Sequence, residues 1–151
     1  MSALGFEILD RHVVEGRGDQ IACTDASGSL TFAQLLERAG ALAGGLRILG
    51  VRSGENVAID LPPGNLQVIS VCAAIRLGCI PAGHGETQIR DVGGTPRIQL
   101  HDHDLELRIV EQAGMADPAP ALRTDPDGYA EAASDAFEDV VESLLSGSPV
   151  V

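Results

Sequence analysis

NVAIDLPPGNLQVISVCAAIRLGCIPAG, residues 56–83, decides the fold. Asn56–Leu61 is an apolar run carrying β-branched Val57 and Ile59, and Pro62–Pro63–Gly64 closes it, which reads as a buried strand. In Asn65–Leu77, the residues Leu66, Ile69, Val71, Ala73, Ala74 and Leu77 spread around most of a helical circumference, as in a helix packed inside an α/β layer. Gly78 ends that helix, and CIPAG (79–83) reads as a short strand. Strand, helix and strand in this order imply parallel strands joined by a crossover helix.

Upstream, Thr31–Leu49 is the clearest helix. Phe32, Leu35, Leu36, Ala39, Leu42, Ala43 and Leu46 recur at helical spacing, Thr31 with Gln34 forms a capping box, and Gly50 is a left-handed stop. QIACTDASGSLTF (20–32) reads as two short strands joined at Asp25–Gly28, and LGFEILDRHVV (4–14) as a short helix. Downstream, HGETQIRDVGGTP (84–96) reads as a loop and Arg97–Asp102 as a strand. DLELRIVEQAG (104–114) reads as a helix with Leu105, Ile109 and Ala113 inward.

The last periodic stretch holds Tyr129, Ala132, Ala133, Ala136, Phe137, Val140, Val141, Leu144 and Leu145 on one face, and Glu131, Asp135, Glu138, Asp139 and Glu142 on the other. It predicts one amphipathic helix, capped by Asp125 or Asp127 and stopped at Gly147. The expected organisation is an α/β domain over 1–114, a Pro-rich linker over 115–126 and an acidic C-terminal helix over 127–146. That helix packs on the same domain or on a partner.

The chain has 151 residues, 44% of them apolar, enough for one domain with a real core. No apolar run approaches the roughly 18 residues of a membrane span, and the N-terminus lacks a secretory pattern; the expectation is a cytoplasmic protein that does not enter a membrane. The formal net charge is −12, and residues 101–151 hold twelve acids against Arg108 and Arg123 alone. Such a balance argues against a nucleic-acid partner. All ten bases are arginine, so no step needing a lysine ammonium is available within the chain. Cys23, Cys72 and Cys79 show no paired spacing and read as buried free thiols.

Residues 18–83 resemble the N-terminal part of the AMP-forming acyl-CoA synthetases of the adenylate-forming (ANL) superfamily. GSLTFAQLLERAGALAGGLRILGV (28–51) is similar to that family's "LTY-x-EL" helix, with Phe32 in place of Tyr. RSGENVAIDLPPGNLQVISVCAAIRLGCIPAG (52–83) is similar to its "GD-x-VAI-x-LPN" strand and the helix and strand that follow, and TPRIQLHDHDLELRIVEQAG (95–114) continues the likeness more loosely. The resemblance implies a layered α/β fold with a mainly parallel sheet and crossover helices. The family's phosphate loop, ribose-binding Asp, magnesium-binding Glu and C-terminal-domain lysine have no counterpart in the matched segments, so it implies scaffold residues here and no catalytic residue. No motif implies a cofactor.

Other polar clusters point to no specific chemistry. HDHD (101–104) places two histidines two residues apart, which with His84 could ligate a metal, but no spacing fixes a third or fourth ligand and a polar loop after a strand is the favoured reading. Gly54, Gly16 and Gly18 complete no phosphate-binding motif, Ser146–Gly147–Ser148 lacks the Thr and Lys of a phosphate loop, and no GxSxG elbow occurs. The expected interaction residues are Phe137, Val140, Val141, Leu144 and Leu145 of the C-terminal helix. The expected role is a non-catalytic domain derived from an acyl-CoA synthetase, acting through a protein partner or a homodimer. The alternative is one half of a split synthetase that needs a companion chain for adenylation, and a metal- or small-molecule-binding module around His84 and His101 is a third.

Overall fold

The computed structural model describes residues 3–151. A π-helical turn (Phe6–Asp10) continues as α1 (Arg11–Val14) and leads to a hairpin, β1 (Ile21–Asp25) and β2 (Gly28–Thr31). The Asp25 carboxylate accepts from the Ser27 amide at 2.8 Å, which closes the turn. α2 (Phe32–Ile48) starts at the expected capping box: Thr31 Oγ1 accepts from the Gln34 amide at 3.2 Å, and Gln34 Oε1 from the Thr31 amide at 2.9 Å.

β3 (Asn56–Asp60), α3 (Asn65–Arg76) and β4 (Ile80–Ala82) form the strand–helix–strand unit read from residues 56–83, and β3 and β4 pair in parallel. β5 (Thr87–Val92), β6 (Thr95–Leu100) and β7 (His103–Glu106) follow, then α4 (Leu107–Gly114), α5 (Tyr129–Ser134) and α6 (Glu138–Ser146). The main sheet runs β4–β3–β5–β6–β7; β4, β3 and β5 are parallel, while β6 and β7 add antiparallel.

α3 packs against β3 and β4, α4 against β6 and β7, and α2 crosses both helices. Alternation divides the sheet. Val57, Ile59, Ile89, Ile98 and Leu100 are buried in the core, whereas Asp60, Arg90, Arg97 and Glu106 stand in register across the other face. The short connection from β4 to β5 passes over that polar face: a methyl carbon added at Gly85 would lie 2.5 Å from the Asn56 carbonyl oxygen, so only glycine fits.

Three local expectations differ from the structure. Residues 87–92, read as loop, form β5 because Thr87 and Ile89 face inward and the strand finds partners on both sides. Gly93 and Gly94, both at positive φ, supply the two-residue turn to β6. The segment 104–114 splits: Leu105 pairs opposite Ile98 in β7, and α4 buries Leu107, Val110 and Gly114, leaving Ile109 partly exposed. The C-terminal stretch is two helices, α5 and α6, with a bend at 135–137. Residues 115–128 contain no helix or strand and lie against the helices, with the Ala119 amide donating to the Gly40 carbonyl at 3.0 Å and Arg76 Nε to the Ala119 carbonyl at 3.1 Å.

Candidate functional site

The C-terminal segment is where the chain departs most from a plain strand–helix scaffold, and three hollows of about 440, 560 and 410 Å³ lie along it. Tyr129 and Ala133 of α5 and Val140, Val141 and Leu144 of α6 are buried in the core. Phe137 is half-buried against that core, and Leu145 remains 37% exposed. Of the five residues expected at an interface, three are therefore internal to this chain and Leu145 alone keeps a sizeable open face.

Polar bonds fix the segment at both ends. The Tyr129 hydroxyl donates to the Cys79 carbonyl at 2.5 Å, so α5 sits against the β4 edge and covers it. His12 Nε2 donates to the Leu144 carbonyl at 2.5 Å, and Arg11 Nη2 to the Leu145 carbonyl at 2.7 Å. At the end of α6 these bonds supplement the Gly147 amide, which also donates to the Leu144 carbonyl at 3.2 Å. Gly147, left-handed at φ 78°, ends α6 as its sequence suggests. Beyond it, the Val150 amide donates to the Ala22 carbonyl at 2.9 Å and the Thr24 amide to the Val150 carbonyl at 3.0 Å, so the tail adds a single parallel bridge to the free edge of β1. α5 begins at left-handed Gly128 with no side-chain cap; Asp125 instead accepts from the Leu4 amide at 2.8 Å, tying the extended stretch to the N-terminal helix.

Burial sets the electrostatics of this region. His12 is fully buried and its ring lies 4.3 Å from that of Phe32; desolvation holds its pKa below 6.5, partly offset by the bond to Leu144. Burial also pushes the Tyr129 hydroxyl far up, so it stays a proton donor. The carboxylates of Glu131, Asp135, Glu138, Asp139 and Glu142 form no ion pair among the described residues.

A cleft of about 440 Å³ opens between the start of α3 and the bend of the C-terminal segment, walled by Gly64, Gln67, Phe137, Glu138 and Val140. Asp25 caps α3: its Oδ2 accepts from the Asn65 amide at 2.8 Å, and its Oδ1 from Asn65 Nδ2 at 3.2 Å. Bonds from Ser27, Asn65 and Gly28 hold the Asp25 carboxyl below its usual range. This Asp25–Asn65 link ties the hairpin to α3 and had no local signal in the sequence, because its partners are 40 residues apart.

The HDHD segment is dispersed. His101 occupies the β6–β7 turn at φ 52°, Asp104 Oδ1 accepts from Arg97 Nε at 2.7 Å, and His84 Nε2 lies 3.1 Å from Asn56 Nδ2. Among the described residues, no three of His, Cys, Asp and Glu converge to hold a metal, and no helix is long and apolar enough to cross a membrane. Cys23, Cys72 and Cys79 are all buried free thiols.

Comparison with known proteins agrees with this architecture. The AMP-binding enzyme family model matches residues 10–87, just over half of the chain. The chain is 32% identical over 122 residues to the acetyl-coenzyme A synthetase of Halorhodospira halophila, covering 74% of this chain and 18% of that enzyme. To the acetyl-coenzyme A synthetase of Streptomyces coelicolor it is 35% identical over 148 residues, covering 94% of this chain and 22% of the relative. The chain thus spans about a fifth of the length of the curated relatives it matches. Among solved structures, the N-terminal subdomain of NpsA from Klebsiella oxytoca, in complex with anthranilyl-AMSN, superposes with a TM-score of 0.59 over 82% of this chain and 36% of that one, at 16% identity. That likeness shows a shared fold, and the sequence match assigns the lineage: the chain belongs to the AMP-binding enzyme family and folds like part of the N-terminal subdomain of adenylate-forming enzymes.

Proposed function

We propose that residues 1–151 act as a non-catalytic domain derived from the scaffold of an AMP-forming acyl-CoA synthetase, working through contact with another protein chain or a second copy. The observation that carries this reading is how the reactive side chains are used. His12, Tyr129, Asp25, Arg38 and Arg76, which in a reaction centre would face a substrate, each bond to another segment of the chain itself. The thiols lie in the core, and burial lifts Cys23 to about 11 and Cys79 to about 12, far from a nucleophilic state at neutral pH. A surface rich in unpaired carboxylates remains, which suits recognition rather than phosphate transfer.

The test is ATP–pyrophosphate exchange by the purified chain with acetate, propionate and anthranilate. The expected rate equals the buffer blank; exchange that depends on both chain and acid overturns the reading.

A second reading is favoured by the match to a full-length acetyl-coenzyme A synthetase across 94% of this chain. Here the domain supplies one part of an AMP-forming acyl-CoA ligase, and a companion chain supplies the phosphate-handling groups. Exchange that appears only on mixing with such a chain supports it; none on mixing removes it.

A further inference from the structure

Two hollows adjoin along the outer side of the C-terminal segment. The first, about 560 Å³, lies between the N-terminal helix and the start of α5; the second, about 410 Å³, lies between α5 and α6. They share Leu4, Ala130, Glu131 and Leu145 and so form one groove. Leu4, Ala130, Val141 and Leu145 give it an apolar floor, and Leu145 is one of the few large apolar side chains the fold leaves open. Carboxylates rim it on every side: Glu7, Asp125 and Asp127 around the first hollow, Asp135, Glu138 and Glu142 around the second, and Glu131 between them.

No arginine lines either hollow among the described residues. Arg11 lies nearest in sequence and is committed to Glu7 at 2.8 Å and to the Leu145 carbonyl. Elsewhere the fold places a guanidinium beside its carboxylates, as at Arg38–Glu111, Arg76–Asp10 and Arg97–Asp104. Along this groove, Glu7 apart, it leaves like charges side by side around an apolar floor, an arrangement that costs stability in the free chain and is relieved by a cationic occupant.

We infer that this groove docks a basic amphipathic helix of a partner protein, its apolar stripe on Leu4, Ala130 and Leu145 and its Arg or Lys side chains over Glu131, Glu138 and Glu142. Bend and floor suit such an occupant: the groove runs from the N-terminal helix past α5 to α6 and is open to solvent rather than enclosed. An apolar stripe flanked by cations matches its floor and rim together, which neither an acidic peptide nor a purely apolar one does. This inference rests on the contact reading above and names the partner's chemistry.

The probe is a fluorescent Leu/Lys amphipathic peptide of about 15 residues, roughly four helical turns, with a Leu/Glu peptide of the same pattern as its control. Fluorescence anisotropy at low salt is expected to show the Leu/Lys peptide binding and the Leu/Glu peptide not. The triple variant Glu131→Gln, Glu138→Gln, Glu142→Gln is expected to weaken binding at least about tenfold, and Leu145→Gln to weaken it independently. A second triple variant, Asp19→Asn, Glu37→Gln, Asp60→Asn, removes the same charge from exposed positions outside the groove and is expected to change little.

Equal losses in the two triple variants mean that net charge alone attracts the peptide, and they overturn the proposal. So does an absence of Leu/Lys binding, or equal binding of the Leu/Glu peptide. Because pyrophosphate exchange is read separately, a groove that binds nothing while exchange stays at the blank removes the groove alone. Exchange above the blank removes the non-catalytic reading instead.

Discussion

Gly45 of α2 and Val110 of α4 meet backbone to side of helix: a methyl carbon added at Gly45 would lie 2.0 Å from the Val110 carbonyl oxygen. The approach is mutual, since one at Gly114 would lie 1.8 Å from the Ala41 carbonyl oxygen. Gly44 faces the Asp117 carbonyl in the same way, at 2.4 Å. Such closeness lets α4 reach the sheet while α2 still covers it.

Substitution at this crossing therefore has an unusual sign. In an exposed helix interior, Gly→Ala stabilises by up to about 1 kcal/mol. Gly45→Ala and Gly114→Ala are expected to destabilise by about 2–3 kcal/mol, because neither backbone can yield without displacing its helix. Gly40 is the internal control. Its added carbon would sit 3.5 Å from Pro118 Cβ, ordinary contact, so Gly40→Ala is expected to be neutral or stabilising. Urea midpoints of the three variants check this, and a Gly45→Ala as stable as wild type refutes the packing argument.

Beside the glycines, Arg38 and Glu111 clamp the same two helices. Arg38 Nε lies 2.9 Å from Glu111 Oε2, and Nη2 2.8 Å from Oε1, a two-pronged pair whose carboxylate is mostly shielded. A lysine ammonium cannot reproduce the fork. Arg38→Lys is expected to cost about 1 kcal/mol, much of the pair's worth being lost to solvent on the arginine side. Adding Glu111→Gln to Arg38→Lys should cost little more, and a double-mutant cycle in urea measures that coupling.

These crossings mark the boundary of what could be read beforehand. α2, β3, α3 and β4 were legible because each carries its own periodicity, cap and stop: Thr31 with Gln34, Gly50, the Pro62–Pro63–Gly64 break and Gly78. β5 was not, since only Thr87 and Ile89 point inward and one of its two ladders comes from distant β3; the Gly93–Gly94 turn to β6 was the one local signal for it. The C-terminal face was legible as apolar but not as bent, because Ala136 and Phe137 keep the helical period through a stretch where the backbone leaves it. Nothing local announced that Leu144 would meet His12 or that Asp125 would hold Leu4, contacts separated by 132 and 121 residues. The groove rim was visible as acidic residues, but its floor depends on Leu4 arriving from the other end of the chain.

The thiols give a chemical check on the core. Cys79 Sγ donates to the Arg52 carbonyl at 3.1 Å, and burial raises Cys23, Cys79 and, most of all, Cys72. At pH 8 a thiol of pKa about 11 is ionised only to about one part in a thousand. Ellman's reagent is therefore expected to find no rapidly reacting thiol in the native chain and all three in guanidinium. A thiol that reacts within seconds under native conditions would show that its segment opens or packs differently.

His12 sets the pH response of the C-terminal segment. Its Nε2–H bonds to Leu144, which leaves Nδ1 buried without a partner among the described residues, close to Gly147. Arg11 and Arg17 act against protonation and Glu15 weakly for it; Phe32 from α2 and the Leu144 carbonyl from α6 are neutral neighbours. With the native pKa below 6.5 and the unfolded one near it, the unfolded chain binds more protons as pH drops through that range, so stability falls as pH falls. One group contributes at most about 1.4 kcal/mol per pH unit between 6.5 and its native pKa. Urea unfolding at pH 7.5, 6.5 and 5.5 (roughly spanning the range in which an unperturbed histidine titrates) is expected to show this decline. In His12→Gln, whose amide still donates towards Leu144, it should flatten. An unchanged slope in that variant would assign the effect to another group.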